Sequence, residues 1–335
     1  MKAVYLKQFG GAENFELREV EPAPLVEGGV RVRLRATAFN PVDYQIRRGD
    51  SESKLLKSPI LGREMAGVVA EVDSSVKSLQ VGDEVFSYVT NLGSSGTYAE
   101  EIVVPEALVV RKPANLTFNQ SAAVPLVGLT AVQAVQRCPF EPDAKIFVAG
   151  GAGGVGSMIL RLLKLQDARH VFSTAGNEES RNRLISMGLA DERIFDYKDS
   201  RIAENLLTAA GGKFDVCFDT VGGKMSEISA EIIKIEGVYA DITFLATEPA
   251  RDALFGKGVT IRNISNYSHA LDGVTEKLNV YRENLDFLRE KLESGELPPS
   301  PIEVVGGLSA ETVAKAHEML EKNLTRGKKL VMEIA

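Results

Sequence analysis

The sequence predicts an α/β protein in which a doubly wound parallel sheet interrupts a β-rich unit. Short segments of alternating apolar and polar residues, separated by Gly, Pro, Asp and Ser turns, fill the chain from Met1 to about Asn119. From about Ser121, strand-like segments alternate with helical ones, which indicates parallel pairing through right-handed crossovers. A strand-like segment, KKLVMEI, also ends the chain, and we expect it to return to the β-rich unit.

The strands of the β-rich unit are predicted, in chain order, at KAVYLK, VRVRLRATAF, AGVVAEV, DEVFSYV and AEEIVV. A helical period then begins in AAVPLVGLTAVQAVQR. The strands of the α/β unit are predicted at KIFVAG, HVFSTA, RIFDY, FDVCFDTVG, GVYADITFL and VTIRNIS, with helices at 155–165, 178–187, 201–210 and 224–234. A charged helix near 276–293 and the helix SAETVAKAHEMLEKN precede the last strand.

Length and composition fit two globular domains. At about 150 residues per domain, 335 residues make two. The hydrophobic content of 44% and the charged content of 25% are average for such domains. No apolar run approaches the roughly 18 residues of a spanning helix, and MKAVYLKQFGG lacks a signal-peptide core, so we expect a cytoplasmic protein without a membrane partner. A net charge of −7 disfavours a nucleic-acid partner.

The cysteines and histidines do not suggest a metal site. Cys138 and Cys217 lie among apolar neighbours, so buried thiols are expected rather than a disulfide framework. His170, His269 and His317 are too scattered for metal-ligand spacing. We therefore expect no bound metal.

A glycine-rich segment marks the first candidate site. Gly151-Ala152-Gly153-Gly154-Val155-Gly156 fits G-x-G-x-x-G, follows a strand-like run and opens a helix, so its N–H groups would face a diphosphate. A tight turn explains Gly151, room for the diphosphate explains Gly153, and close helix-to-strand packing explains Gly156. The pattern predicts a dinucleotide site, and a tight turn without a ligand is the alternative.

The second predicted strand of the α/β unit, HVFSTA, indicates which dinucleotide the site binds. Where an NAD site usually has Asp or Glu, this chain has Ser173-Thr174-Ala175-Gly176. A carboxylate would repel a 2′-phosphate, whereas hydroxyls can donate to it and Arg181 can pair with it. We therefore predict NADP(H), with Tyr197 as a flanking residue or a packing one. Alternatively, Arg181 and Arg183 form a solvated face paired with the acids at 178–179.

A series of motifs occurs in order along nearly the whole chain: NPVDYQIRRG (40–49), PILGREMAGVV (59–69), VGDEVF (81–86), GTYAEE (96–101), AAVPLVGLTA (122–131), AGGAGGVG (149–156) and FDTVGG (218–223). The set resembles the medium-chain dehydrogenase/reductase superfamily, in its zinc-free branch of NADPH:quinone oxidoreductases and alkenal reductases. The resemblance implies a chaperonin-10-like β-barrel catalytic domain (1–122 and 266–335), a Rossmann NADP-binding domain (123–265) and an active site in the cleft between them.

Zinc-dependent alcohol dehydrogenases of that superfamily carry Cys where Asn40 stands and His where Arg63 stands. Their third ligand falls near Pro125–Gly128, which contains no Cys, His or acid. Zn²⁺ needs a thiolate, a neutral imidazole or a carboxylate, and neither Asn nor Arg supplies one. The four-cysteine lobe is missing too, since Glu84–Gly96 has no cysteine. The resemblance therefore implies chemistry without a metal.

The chemistry that remains is hydride transfer from a nicotinamide to an acceptor that is already electrophilic, such as a quinone or an α,β-unsaturated carbonyl. On the resemblance, Asn40 and Tyr44 in the NPVDY loop are the candidates to donate to the substrate oxygen, and Thr130 to hold the nicotinamide carboxamide. A loop aromatic that packs against the barrel is the alternative for Tyr44.

The charged residues near this loop have structural alternatives. Asp43 is close in sequence to Arg47 and Arg48, and we expect it to form an ion pair with one of them or with Arg63. Arg63 either adds positive potential near the developing oxyanion or pairs with Asp43 or Glu64. No acid with a dedicated proton emerges, so solvent is expected to protonate the product.

Further cofactor contacts are predicted after the later strands. Val221 and Gly222 would approach the ribose or the nicotinamide, and Phe244 and Leu245 would form apolar walls. NISNY (263–267) would cover the nicotinamide. Near the C-terminus, Asn323 stands where some relatives place Arg, so no contact is assigned to it.

The leading hypothesis is a zinc-independent, NADPH-dependent quinone oxidoreductase, which also covers α,β-unsaturated carbonyl acceptors. A homodimer is expected, because VTIRNIS could be an edge strand that pairs across a two-fold axis. A zinc-free alcohol or ketone dehydrogenase would need a general acid-base that is not visible. A non-catalytic NADP(H)-binding redox sensor is the third hypothesis. The substrate pocket is assigned to 46–58, 88–96 and 244–270.

Overall fold

The structure is a computed structural model that describes residues 1–90, 95–271 and 274–335. Its contacts define two units: a β-rich unit, Met1–Leu129 with Asn266–Ala335, and an α/β unit, Thr130–Ser265. The predicted pocket segment 88–96 lies partly outside the described residues.

The strands are β1 (Lys2–Leu6), β2 (Phe15–Glu19), β3 (Gly29–Ala38), β4 (Glu64–Val72), β5 (Glu84–Tyr88), β6 (Glu101–Pro105), β7 (Val109–Arg111), β8 (Lys145–Ala149), β9 (His170–Ala175), β10 (Ile194–Asp196), β11 (Phe214–Asp219), β12 (Ile233–Asp241), β13 (Thr260–Asn263), β14 (Ile302–Gly307) and β15 (Lys329–Glu333). The α-helices are α1 (Pro41–Arg48), α2 (Phe118–Ala122), α3 (Pro125–Arg137), α4 (Gly154–Leu165), α5 (Glu178–Ser186), α6 (Ile202–Ala210), α7 (Lys224–Ile232), α8 (Glu248–Gly256), α9 (Asn279–Glu293) and α10 (Ala310–Glu321).

The β-rich unit is built on a sheet of order β14-β15-β3-β4-β5-β7, with β6 paired to β3. The alternation in β3 places Val30, Val32 and Leu34 in the core. The predicted return of the chain end is confirmed: β15 pairs with β3 in antiparallel register, with Val331 opposite Ala38.

The NPVDY segment is a helix, not the predicted loop. Pro41 stands at the first position of α1, where its fixed φ is suited to a helix. The backbone N–H of Asn40 donates to Asp43 Oδ2 at 2.8 Å, and the Asp43 N–H donates to the Asn40 carbonyl at 2.9 Å. This reciprocal pair holds the first turn of α1.

The α/β unit contains a parallel sheet of order β10-β9-β8-β11-β12-β13. The order reverses between β8 and β11, so the loops after these two strands diverge to opposite sides of the sheet. In such sheets, ligands bind outside the carboxyl ends of the strands at this switch point.

Two of the boundaries that differ from the prediction have a clear physical reason. Helix α7 ends at Ile232, because Ile233 already pairs with Phe214 in the sheet. The β-rich unit extends to Leu129 and not to residue 122, since the start of α3 packs within it: the Leu126 N–H donates to Glu64 Oε2 at 2.7 Å.

Both cysteines are buried and free, as predicted, and burial raises the pKa of the Cys138 thiol to about 11. Among the helices in residues 1–90, 95–271 and 274–335, none combines the length and apolar composition that crossing a membrane requires.

Candidate functional site

The glycine loop after β8 is shaped by steric limits at two positions. A Cβ on Gly151 would overlap the Ser173 hydroxyl, and one on Gly156 would overlap the Gly150 carbonyl. Both glycines therefore hold the loop against the sheet. Gly153 is different, because it is exposed and a Cβ there would meet only the Gly150 carbonyl, at 3.2 Å. The steric need for glycine is weaker at 153 than at 151 or 156, and a bound diphosphate would add a second reason for glycine there.

Helix α4 starts directly after this loop. Gly153 caps the helix in extended conformation, and Gly154 and Val155 form its half-buried first turn. The first N–H groups of α4 therefore face the space in front of Gly153, where they have no partners within the helix. This cradle fits a dinucleotide diphosphate.

The hydroxyls at the end of β9 are used inside the sheet. Ser173 Oγ donates to the Val148 carbonyl at 2.7 Å and accepts from the Gly151 N–H at 3.2 Å. Thr174 Oγ1 accepts from the Gly150 N–H at 3.0 Å. Both side chains are buried. They shape the glycine loop, and this geometry does not favour the predicted contact with a 2′-phosphate.

Arg181 is also engaged elsewhere. Its Nε donates to Asp191 Oδ1 at 2.6 Å, its Nη1 to the Ile194 carbonyl at 2.8 Å and its Nη2 to the Asp191 carbonyl at 2.9 Å. The guanidinium therefore ties α5 to the segment before β10. Arg181 therefore does not make the alternative pairing with the acids at 178–179, whereas Arg183 does interact electrostatically with Glu179.

Tyr197 directly follows β10, and its N–H donates to the carbonyl of Ala175, the last residue of β9, at 3.3 Å. Its place beside a phosphate stays a prediction. Its half-exposed ring occupies the position that a Cβ on Gly176 would take, so only glycine fits there. Lys198, which the sequence reasoning missed, reaches the same point: its Nζ donates to the Gly176 carbonyl at 2.6 Å. The run Tyr-Lys directly after β10 was the available signal.

Two buried aspartates shape the turns after β11 and β12. Asp219 Oδ1 accepts from the N–H groups of Val221 and Gly222, at 2.9 and 2.8 Å. Asp241 Oδ1 accepts from the N–H of Phe244 at 2.8 Å. Phe244 adopts φ +58, a conformation that a bulky residue rarely takes. The sequence reasoning missed both aspartates, although each ends a predicted strand.

These turns place the predicted apolar residues at the carboxyl edge of the sheet. Val221, Phe244 and Leu245 are 45%, 68% and 52% exposed. Val221 also neighbours the glycine loop, since a Cβ on Gly150 would lie 2.7 Å from Val221 Cγ2. Exposed apolar side chains at this edge suit the faces of a flat aromatic ligand.

NISNY begins beside these turns, because the Ile264 N–H donates to the Asp241 carbonyl at 2.8 Å. Thr130 is a buried residue of α3, at the first position of the α/β unit. In NISNY, Asn266 Nδ2 donates to the Leu126 carbonyl at 3.1 Å, and the Asn266 carbonyl accepts from Tyr281. Asn323 follows α10 at φ +53, as residues that end helices often do.

In the β-rich unit, Asn40 belongs to a buried polar cluster. Its Nδ2 donates to Glu64 Oε1 at 2.7 Å, and its Oδ1 accepts from Lys329 Nζ at 2.6 Å. Lys329 Nζ also donates to Glu64 Oε1, at 2.6 Å. The Asn40–Glu64–Lys329 cluster is satisfied internally, as buried charges require. Sequence reasoning did not find Lys329, which lies far along the chain.

Arg63 pairs with neither Asp43 nor Glu64. Its Nη2 lies 2.5 Å from Glu52 Oε2, and it also interacts with the buried Tyr88, whose pKa burial raises to about 12. On the resemblance, positions 40 and 63 are those of metal ligands in zinc-dependent relatives, and here they hold an amide that accepts from Lys329 and a guanidinium. This donor set does not fit Zn²⁺.

The buried carboxyl of Asp43 is not the ion-pair partner that was expected. Arg47 and Arg48 both pair with Glu321, and Arg63 with Glu52. Burial raises the pKa of Asp43 to about 7, against the lowering effects of the Asn40 N–H and the Arg63 charge.

Two further buried residues, Tyr98 and His317, form a hydrogen-bonded pair beside Asp43. The Tyr98 hydroxyl interacts with Asp43 and lies 3.1 Å from His317 Nε2. Burial lowers the pKa of His317 to about 3, so this imidazole is neutral at pH 7. The network is a core feature of the β-rich unit.

Tyr44 is half-buried on α1, and the Arg48 guanidinium lies 5.6 Å from the centre of its ring. This contact lies within α1, so both the predicted role of the Tyr44 hydroxyl and the alternative of packing against the barrel stay predictions.

Two family models match the chain. The alcohol dehydrogenase GroES-like domain matches residues 26–114, and the zinc-binding dehydrogenase domain matches residues 154–288. The predicted fold class is confirmed: a GroES-like (chaperonin-10-like) domain is interrupted by a Rossmann domain.

Similar proteins span the whole chain. It is 32% identical over its full length to the chloroplastic NADPH-dependent alkenal/one oxidoreductase of Arabidopsis thaliana, and covers 80% of that protein. It is 31% identical over its full length to the 2-methylene-furan-3-one reductase of Solanum lycopersicum, and covers 79% of it.

Among solved structures, the quinone oxidoreductase of Pseudomonas syringae pv. tomato DC3000 is 26% identical, with a TM-score of 0.84 over 99% of each chain. The chain therefore belongs to the medium-chain dehydrogenase/reductase superfamily, in its branch of quinone oxidoreductases and alkenal reductases.

Proposed function

We propose that this protein is a zinc-independent reductase that transfers hydride from NADPH to quinones or α,β-unsaturated carbonyls. The names of its relatives support this: one is an NADPH-dependent alkenal/one oxidoreductase, another a 2-methylene-furan-3-one reductase and a third a quinone oxidoreductase. The observation that carries the proposal is the Asn40–Glu64–Lys329 cluster. On the resemblance, zinc-dependent relatives have a metal ligand at position 40, whereas here the Asn40 oxygen accepts from the Lys329 ammonium, so we infer that the acceptor has to be electrophilic without a metal.

The α/β unit supplies the cofactor site in this proposal. Gly153, Gly154 and Val155 bind the diphosphate through backbone N–H groups at the start of α4. Val221 with Gly222 and Phe244 with Leu245 border the nicotinamide end. When bound, NADPH supplies a hydride and its two electrons.

Asn40 is the group that we assign to the substrate oxygen. An amide Nδ2 has two hydrogens, and Glu64 takes one of them, which leaves the second for a ligand. Glu64 and Lys329 hold the amide in place. When hydride reaches the β-carbon of an enone, negative charge moves to the carbonyl oxygen, where an N–H donor stabilises it. Water then supplies the proton at the α-carbon.

A homodimer and a cytoplasmic location are parts of the same proposal. Strand β13 supports the dimer, because it ends the sheet order and all four of its residues are exposed. An unpaired edge of this kind can continue its sheet into a second copy.

The test is the loss of NADPH absorbance with three acceptors: 1,4-naphthoquinone, a simple enone and a saturated ketone. We expect turnover of the quinone, the enone or both, and none of the ketone, since an isolated carbonyl needs a Lewis acid or a general acid. Turnover of the ketone alone would support an alcohol or ketone dehydrogenase instead.

The same protein preparation tests whether the enzyme contains zinc. Elemental analysis should find no stoichiometric zinc, and a chelator should leave the rate unchanged. If NADPH binds but no acceptor oxidises it, the redox-sensor hypothesis replaces the proposal.

A further inference from the structure

Two hydrogen-bond donors close to Asn40 lack an acceptor. The Tyr88 hydroxyl and the Arg63 Nε are buried, and neither forms a hydrogen bond with any residue that the structure describes. The guanidinium of Arg63 uses its Nη2 for Glu52. Leaving a buried polar group without a partner costs free energy, so two such donors in one place indicate that an acceptor binds there.

Strands β4 and β5 place these donors beside the Asn40–Glu64–Lys329 cluster. Glu64 lies directly opposite Tyr88 in the antiparallel register, so the two side chains leave the same face of the sheet. Glu64 in turn accepts from Asn40 Nδ2 at 2.7 Å. Arg63 precedes Glu64, and its carbonyl accepts from the Val89 N–H at 2.6 Å. The unpaired donors therefore border the amide that we assign to the substrate oxygen.

The lack of a partner is particular to Tyr88. Four tyrosines are fully buried in the described part of the chain, and Tyr88 is the one whose hydroxyl has no hydrogen-bond partner there. Burial alone therefore does not explain it. The hydroxyls of the other three, Tyr98, Tyr239 and Tyr281, bond to His317, Asp219 and the Asn266 carbonyl, in that order.

The hydroxyl of Tyr88 is held in place and stays protonated. Its ring packs against the Tyr281 ring, with 5.6 Å between the ring centres. Burial raises the pKa of Tyr88 to about 12, and the Arg63 charge opposes that shift without cancelling it. At neutral pH the group is therefore a fixed hydrogen-bond donor with a cation beside it, which suits an oxygen that gains negative charge.

We propose that Tyr88 donates a second hydrogen bond to the substrate oxygen, next to the bond from Asn40, and that Arg63 strengthens it as a positioning residue. When hydride adds to the β-carbon of an enone, the π electrons shift and the negative charge reaches the carbonyl oxygen, which accepts from both donors. Tyr88 keeps its proton, so water still supplies the proton at the α-carbon. The inference rests on the proposed function, because it takes an electrophilic carbonyl as the acceptor.

Tyr88→Phe tests the inference, because it removes the hydroxyl alone. We expect kcat for the enone to fall on the order of 100-fold, the effect of removing one oxyanion donor, while the dissociation constant of NADPH stays the same. The kcat for 1,4-naphthoquinone should fall by a smaller factor, since two oxygens and a ring share its charge. The melting temperature should stay the same or rise, because the lost hydroxyl has no partner in the fold.

Tyr98→Phe is the matched control, because it removes an equally buried hydroxyl of the same unit, one that is bonded to His317. It should lower the melting temperature and keep the ratio of the two kcat values. The inference is overturned if Tyr88→Phe leaves the enone kcat unchanged, or if it lowers both kcat values equally together with the melting temperature. A wild type that reduces the quinone alone also overturns it, whereas one that reduces neither acceptor ends the proposed function itself.

Discussion

Asn40 shows how one side chain can serve both the fold and the reaction. Its amide joins Glu64 to Lys329 in a buried cluster. Removing the amide would leave a buried ammonium and a buried carboxylate each short of one partner, at a cost of about 1–3 kcal/mol. The substrate oxygen would lose its donor as well.

For this reason we expect Asn40→Ala to lower kcat on the order of 100-fold, the effect of removing one oxyanion donor, while the dissociation constant of NADPH stays nearly the same. Steady-state kinetics and calorimetry measure the two quantities. Asn119→Ala is the matched control, because Asn119 lies in the same unit and donates to Glu333. An unchanged kcat in Asn40→Ala would remove this residue from the site.

Asp43 makes stability depend on pH. Its pKa is about 7 in the folded protein and about 3.9 in an unfolded chain. Between these values the folded state holds a proton that the unfolded state releases, so this group's contribution to stability falls as pH rises from about 4 to about 7.

Asp43→Asn should abolish that dependence. From pH 5 to 7, the unfolding free energy of the wild type relative to the variant should fall by up to about 1.4 kcal/mol per pH unit. Urea denaturation at several pH values measures it. Glu19→Gln, at an exposed position of the same unit, is the control with the same charge change. Parallel curves for wild type and Asp43→Asn would contradict the assignment.

At the scale of elements, strand β13 decides whether the α/β sheet can continue into a second copy. It pairs with β12 on one side, and Ile261 is 42% exposed. A charge at this position would have to be buried if two β13 strands met.

We therefore expect Ile261→Asp to be a monomer of about the chain mass of 36.3 kDa and the wild type to have twice that mass, by size exclusion with light scattering. Ile185→Asp, on α5, changes an equally exposed isoleucine of the same unit and should remain dimeric. A monomeric wild type would remove the dimer from the proposal.

At the scale of the whole molecule, the proposed cofactor residues and the proposed substrate residue belong to different units. The α/β unit carries the glycine loop and the Asp219 and Asp241 turns, which are suited to a dinucleotide. The β-rich unit carries the Asn40–Glu64–Lys329 cluster, whose amide N–H is suited to an oxygen that gains negative charge. Calorimetry of NADPH binding tests the α/β unit, and the acceptor series tests both units. The two experiments can therefore fail independently.

The order of the elements, the glycine loop and the presence of Asn40 and Arg63 in place of zinc ligands all follow from the sequence alone. These features depend on residue type and on neighbours a few positions apart, which a linear pattern displays. Which side chains pair with each other is visible only in the folded structure. Asn40 and Lys329 are 289 positions apart. Arg181 pairs with Asp191 and not with the acids at 178–179, which are nearer in sequence. A hydrogen bond depends on distances that exist only after the chain has folded, so the partner of each side chain could not be read from the sequence beforehand.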